Sequence, residues 1–144
     1  MKKIVLTALC STLLLTGCAP KFDVKPSSLE KYAEEHDGVF TDKTEEYSED
    51  LAIDGLYLVD TDDAHVELWD WGNTDDCRSW FHENVEVKLE TSKSYSQSNT
   101  SKAGTASITD KNGDFCEVKF SEDKGIFACG DKDSVKKVLD EIIQ

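Results

Sequence analysis

Five cysteines, three histidines and several clusters of carboxylates are the residues of this 144-residue chain whose types can carry chemistry. His65, Glu67, Trp69 and Trp71 stand at alternate positions, so on an extended strand they share one face. Two aromatics flanked by polar groups can stack on a glycan or anchor a partner protein. The same pair would also suit a sheet face beneath helices. Cys116 and Cys129 bracket a second hairpin. If its turn pairs Phe120 with Gly125, Val118 faces Phe127 and Cys116 faces Cys129, while Glu117 and Lys119 point the other way. Burial then sets the register. Directly opposite Cβ atoms lie about 4.5–5.5 Å apart, close enough for a disulfide after local adjustment. The two cysteines are therefore expected together, as a disulfide or as two packed thiols. Cys77 and His82 sit five residues apart on a helix, about 140° around its axis, and cannot work on one face. The clusters Asp60/Asp62/Asp63, Asp75/Asp76 and Asp110/Asn112/Asp114 invite a Ca²⁺ reading, which needs six to eight oxygens in a shaped loop. The third has its glycine, Gly113, too early for an EF-hand and lacks the distal glutamate. Turn and cap chemistry accounts for all three, so no metal and no cofactor is expected. The sequence has no helical pair of metal ligands, no paired CxxC and no phosphate-cradling glycine loop.

What places these residues in a cell is the start of the chain. Lys2 and Lys3 precede an apolar run from Ile4 to Leu15, the pattern of a cleaved secretory leader rather than a spanning helix. Leu15-Thr16-Gly17-Cys18 then closes it with small residues and a cysteine, and so resembles the lipobox of bacterial lipoproteins. The resemblance implies cleavage before Cys18, diacylglycerol on its sulfur, and acylation, such as by palmitate, of its new amino group. The expected parts are a signal peptide over 1–17, a lipidated cysteine and tether over 18–26, and one domain over 27–144. Ala19 to Lys25 as an extended tether would reach roughly 25 Å. The expected location is the extracytoplasmic face of the cell membrane, with the membrane itself a partner through Cys18.

Removal of residues 1–17 takes away two lysines and no acid, leaving 14 basic and 30 acidic residues, a formal charge of −16. Such a chain is repelled by nucleic acid and by anionic headgroups. After Cys10 leaves with the leader and Cys18 takes lipid, Cys77, Cys116 and Cys129 remain. One disulfide and one free thiol is the simplest count in an oxidising compartment, and three packed thiols the alternative in a reducing one.

The apolar pattern supplies the elements. Ser27 and Glu30 have capping-box spacing ahead of a stripe of Leu29, Tyr32, Ala33 and His36, with Gly38 as the stop. His36 falls at the end of that stripe, a half-buried position rather than a ligand. Val39–Thr41 reads as a short strand and Asp42–Asp50 as a charged loop. Leu51–Val59 and His65–Trp71 form a hairpin whose second strand is apolar on both faces, hence central. Gly72-Asn73-Thr74 caps a helix carrying Cys77, Trp80, Phe81 and Val85, with Asp75 and Asp76 favoured by its dipole. After Asn84 two patterns overlap: Val85, Val87 and Leu89 alternate as in a strand, while Cys77, Phe81, Val85 and Leu89 continue a helical stripe, and the helix is expected to run to about Leu89. Thr91–Gly104, nearly all Ser, Thr, Lys and Asn, is expected as a long loop. A meander from Ala106 to Cys129 follows, then a helix with Val135, Val138, Leu139 and Ile142 on one face.

The expected order is α-β-β-β-α-β-β-β-α, an α+β domain whose antiparallel sheet carries helices on one face. From Ser27 to Ile143 this layout is similar to small extracytoplasmic lipoprotein domains of unknown function in Gram-positive bacteria, a likeness without a catalytic motif. The expected function is a membrane-anchored, non-enzymatic binding module for a cell-envelope protein or glycan. The alternative is a cell-envelope hydrolase or thiol redox protein with a dispersed site.

Overall fold

Runs of alternating burial build a single seven-stranded antiparallel sheet in the computed structural model, which describes residues 21–143. The strands are β1 (Val39–Asp42), β2 (Gly55–Asp60), β3 (Ala64–Asp70), β4 (Ser92–Asn99), β5 (Ala103–Asp110), β6 (Phe115–Ser121) and β7 (Lys124–Gly130). Their order in the sheet is β1-β2-β3-β7-β6-β5-β4, so β3 is interior, as its two apolar faces require. The helices are α1 (Pro26–Glu35), the short α2 (Thr44–Tyr47), α3 (Thr74–Leu89) and α4 (Lys132–Ile142). The fold is α+β, and α3 ends at Leu89 as its stripe predicts.

Side-chain alternation divides the core in two. Ala64, Val66 and Leu68 of β3 and Ile126 and Ala128 of β7 pack with Leu29 of α1 and Val135, Val138 and Ile142 of α4. The intervening positions face the other way: Val118 and Phe120 of β6 and Ala106 and Ile108 of β5 meet Cys77, Trp80, Phe81 and Val85 of α3. Helices thus cover both faces, where the sequence led us to expect one. The reason lies in β7, which turns Ile126 and Ala128 to one side and Phe127 and Cys129 to the other and cannot be sealed from one side.

Three further expectations are corrected. Residues 92–99 are a strand, not a loop: β4 pairs with β5 along its length, with Ser94, Ser96 and Ser98 opposite Thr109, Ser107 and Thr105. It is an edge strand with most side chains exposed, so it lacks apolar alternation. Helix α1 begins at Pro26 on the extended Lys25, with no side-chain cap from Ser27. It ends with Asp37 left-handed (φ 53°) and the Gly38 N–H bonded to the Ala33 carbonyl at 2.8 Å. Finally, the folded domain starts earlier than residue 27. Phe22 packs on the α1/α4 core, Val24 is 1% exposed, and the Phe22 N–H donates to Ser121 Oγ at 3.2 Å. The signal peptide and Cys18 lie outside the described residues.

Candidate functional site

The β2–β3 hairpin aligns Asp60 with His65, and the pleat puts Glu67 two residues on, on the same face. His65 sits between the two carboxylates. Its Nδ1–H donates to Asp60 Oδ1 at 2.6 Å and its Nε2–H to Glu67 Oε1 at 2.9 Å. The second oxygen of Glu67 accepts the indole N–H of Trp69 at 2.7 Å. The hydrogen bond to Glu67 above all, helped by Asp60 and opposed by partial burial, raises the His65 pKa to about 9. His65 is therefore an imidazolium at neutral pH, and the Asp60–His65–Glu67 trio carries one net negative charge.

Trp69 and Trp71 stack at 5.7 Å between ring centroids, and Trp69 also meets Trp80 of α3 at 6.0 Å. Both are partly buried at the margin of the α3 core. The structure thus brings the four sequence-selected residues together, with the tryptophans serving as the rim of a core as much as a surface. The Trp71 indole N–H is buried and makes no hydrogen bond among the described residues. Outward from Glu67 the strip continues through Leu58 and Thr41, both partly exposed, to Val39, which is 62% exposed.

One residue-row across the sheet joins this strip to the cysteines. Asp60, His65, Cys129, Cys116 and Ile108 are successive cross-strand partners. The β6–β7 turn pairs Phe120 with Gly125, and Cys116 and Cys129 are disulfide-bonded with Cα atoms 4.1 Å apart. Next to the bond lies a half-open depression of about 290 Å³, bordered by Lys88 in the last turn of α3, by Thr91 just beyond it, and by Asp110 and Asp114. Cys116 is buried and Cys129 partly exposed. Cys77 is the free thiol. It is fully buried under α3, and burial first, then Asp123 and Asp70, pushes its pKa up to about 12. A thiol so held is not a nucleophile at neutral pH.

Two of the acidic clusters sit in turn and cap structure, while in the third Asp60 holds His65. Asp110 Oδ1 accepts the N–H groups of Asn112 and Asp114 at 2.8 and 2.9 Å, and Asn73 Oδ1 accepts from Asp76 N at 2.9 Å. Among the described residues no three His, Cys, Asp or Glu side chains converge on a metal position. His36 stacks on Tyr32 and pairs with Glu141 at 2.8 Å.

Sequence reasoning missed two features. Asp60 completes the His65 network, and the hairpin alignment of Asp60 with His65 was the available signal. On the α4 face, Glu117 is buried and ion-paired with Lys119 at 2.6 Å and Lys136 at 2.8 Å. Burial would raise its pKa, but the two lysines prevail and hold it below the ordinary glutamate value. Lys119 pointed to a partner only on its own strand, and Lys136 only through the tertiary fold. Compared with family models, curated proteins and solved structures, the chain shows no significant match.

Proposed function

We propose that this chain is a lipid-anchored extracytoplasmic binding module, held by Cys18, whose binding strip runs from Trp69 through Glu67 and His65 to Leu58 and Thr41. The observation that carries this reading is the Asp60–His65–Glu67–Trp69 network. It fixes a charged group, two acceptors and an aromatic edge in one orientation on a partly exposed sheet face. Preorganised polar groups beside aromatic surface serve recognition, because little entropy is lost when a partner arrives. The trio's net negative charge favours a donor-rich envelope partner, a glycan hydroxyl array or a basic protein surface. The buried, high-pKa Cys77 weighs against a thiol enzyme.

Fractionation of cells tests the anchor: the wild type is expected with membranes and Cys18→Ser in the soluble fraction. A photo-crosslinking amino acid at Thr41 tests the strip, with Tyr95 on the opposite edge as control. The expected result is one reproducible adduct from position 41, absent from position 95 and lost in the His65→Gln/Glu67→Gln double variant. Equal adducts from both edges would remove the strip from consideration.

A further inference from the structure

We infer that the lipidated chain stands on the bilayer by one end, the end of the β6–β7 and β4–β5 turns, with His65 and the aspartate-rich turns pointing away. This rests on the lipid reading of Cys18, and it concerns what the start of the domain does to that anchor.

The segment just after the lipobox is docked, not free. The Phe22 N–H is bonded to Ser121 at the end of β6, Lys21 Nζ meets Glu122 Oε1 at 2.9 Å, and Val24 is 1% exposed. The Glu122 N–H in turn donates to the Lys102 carbonyl at 2.7 Å, which ties the β4–β5 turn to the same place. Four residue steps separate Cys18 from Phe22, a reach of at most about 14 Å. Strand β6 runs away from that point over seven residues, which places Asp114 and the far turns about 20 Å off. The tether is too short to let the domain invert. Charge agrees with length. The far turns carry Asp62, Asp63, Asp110, Asp114 and Asp131 against Lys111, an acidic excess that anionic headgroups repel, whereas the anchored end sets Lys21, Lys102 and Lys124 against Asp70, Glu122 and Asp123. Standing this way, the domain turns His65 and the disulfide row outward, where an envelope partner can reach them.

The test uses the full lipidated chain, extracted from bacterial membranes and reconstituted into phosphatidylcholine vesicles containing some phosphatidylglycerol. An azide-bearing amino acid replaces exposed Lys102 or, separately, exposed Lys111, and receives a donor dye; acceptor dye labels the lipid headgroups. Energy transfer at position 102 is expected at about twice or more that at position 111, given the strand-length offset. A flexible Gly/Ser insert of about 12 residues after Cys18 should bring the two values together. Equal transfer at both positions in uninserted protein that floats with the vesicles would overturn the placement. Protein that fails to float would overturn the lipid reading, and this inference with it.

Discussion

Under α1 and α4 the sheet is aliphatic, with Val59, Val66, Leu68, Ile126 and Ala128 meeting Leu29, Val135 and Ile142. Under α3 it is aromatic, with Phe120, Phe127, Trp69 and Trp71 around Trp80 and Phe81. The first core is mainly aliphatic, and its polar groups, the Tyr32 hydroxyl and the Glu117 carboxylate held by Lys119 and Lys136, lie away from the candidate site. The second carries indoles, whose N–H groups cost stability when they leave water without an acceptor, as that of Trp71 does among the described residues. Trp69 finds Glu67, and Glu67 orients His65. The candidate site therefore arises where an aromatic core runs out, and its geometry is coupled to α3 in a way it is not coupled to α1 or α4.

Core truncations on the two faces should break or sharpen that contrast. Trp80→Ala removes a 7%-exposed side chain against which both Trp69 and the bare backbone of Gly125 pack, and should cost about 3–5 kcal/mol. Leu29→Ala, at a fully buried site on the opposite face, should cost about 2–5 kcal/mol. Stability alone will not separate them. The His65 pKa, followed by the ring proton shifts of each variant, should fall in Trp80→Ala as Trp69 loosens and stay in place in Leu29→Ala. Equal movement in both would mean that the sheet transmits strain across its faces and the contrast is lost.

Beyond the C-terminus of α3, a covalent link stands where helical cover ends. The Cys116–Cys129 bond closes a separation of 13 residues, which on a chain-entropy estimate stabilises by about 3 kcal/mol. Denaturant titration of Cys116→Ser/Cys129→Ser should show a loss of that order. A loss below about 1 kcal/mol would indicate that packing seals the α3 face without the bond.

Legibility in the sequence follows the same division. Helix α4, with Val135, Val138, Leu139 and Ile142 on one stripe, and the cysteine register of the last hairpin were readable because burial imposes a period. The four-residue cluster around Trp69 was readable because alternate strand positions share a face. Strand β4 was not, since an edge strand pairs through backbone and asks little of its side chains. The second covered face was not, because β7, apolar at odd and even positions alike, looks the same whether one or both sides are sealed. Asp60 as a partner of His65 was encoded in the register of a short hairpin, whereas Lys136 as a partner of Glu117 depends on the packing of α4 on β6, which no local pattern encodes.

The smallest of these effects isolates the site itself. His65 binds its proton more tightly folded, at a pKa of about 9, than in an unfolded chain at 6.5. Its stabilising effect is therefore complete below pH 6.5 and is lost as pH rises through 9. With His65 34% exposed, screening reduces the contribution to on the order of 1 kcal/mol. Cys77 titrates in the next window: its thiol, ordinarily ionising near pH 9, stays neutral in the fold to about 12, so its own destabilisation begins only where that of His65 is ending. Unfolding free energies measured from pH 6 to 8.5 thus report mainly on His65, and the slope should vanish in His65→Gln. A slope that survives this substitution would mean that Asp60 and Glu67 do not hold the proton, and that the network does not supply the fixed charge on which the binding strip depends.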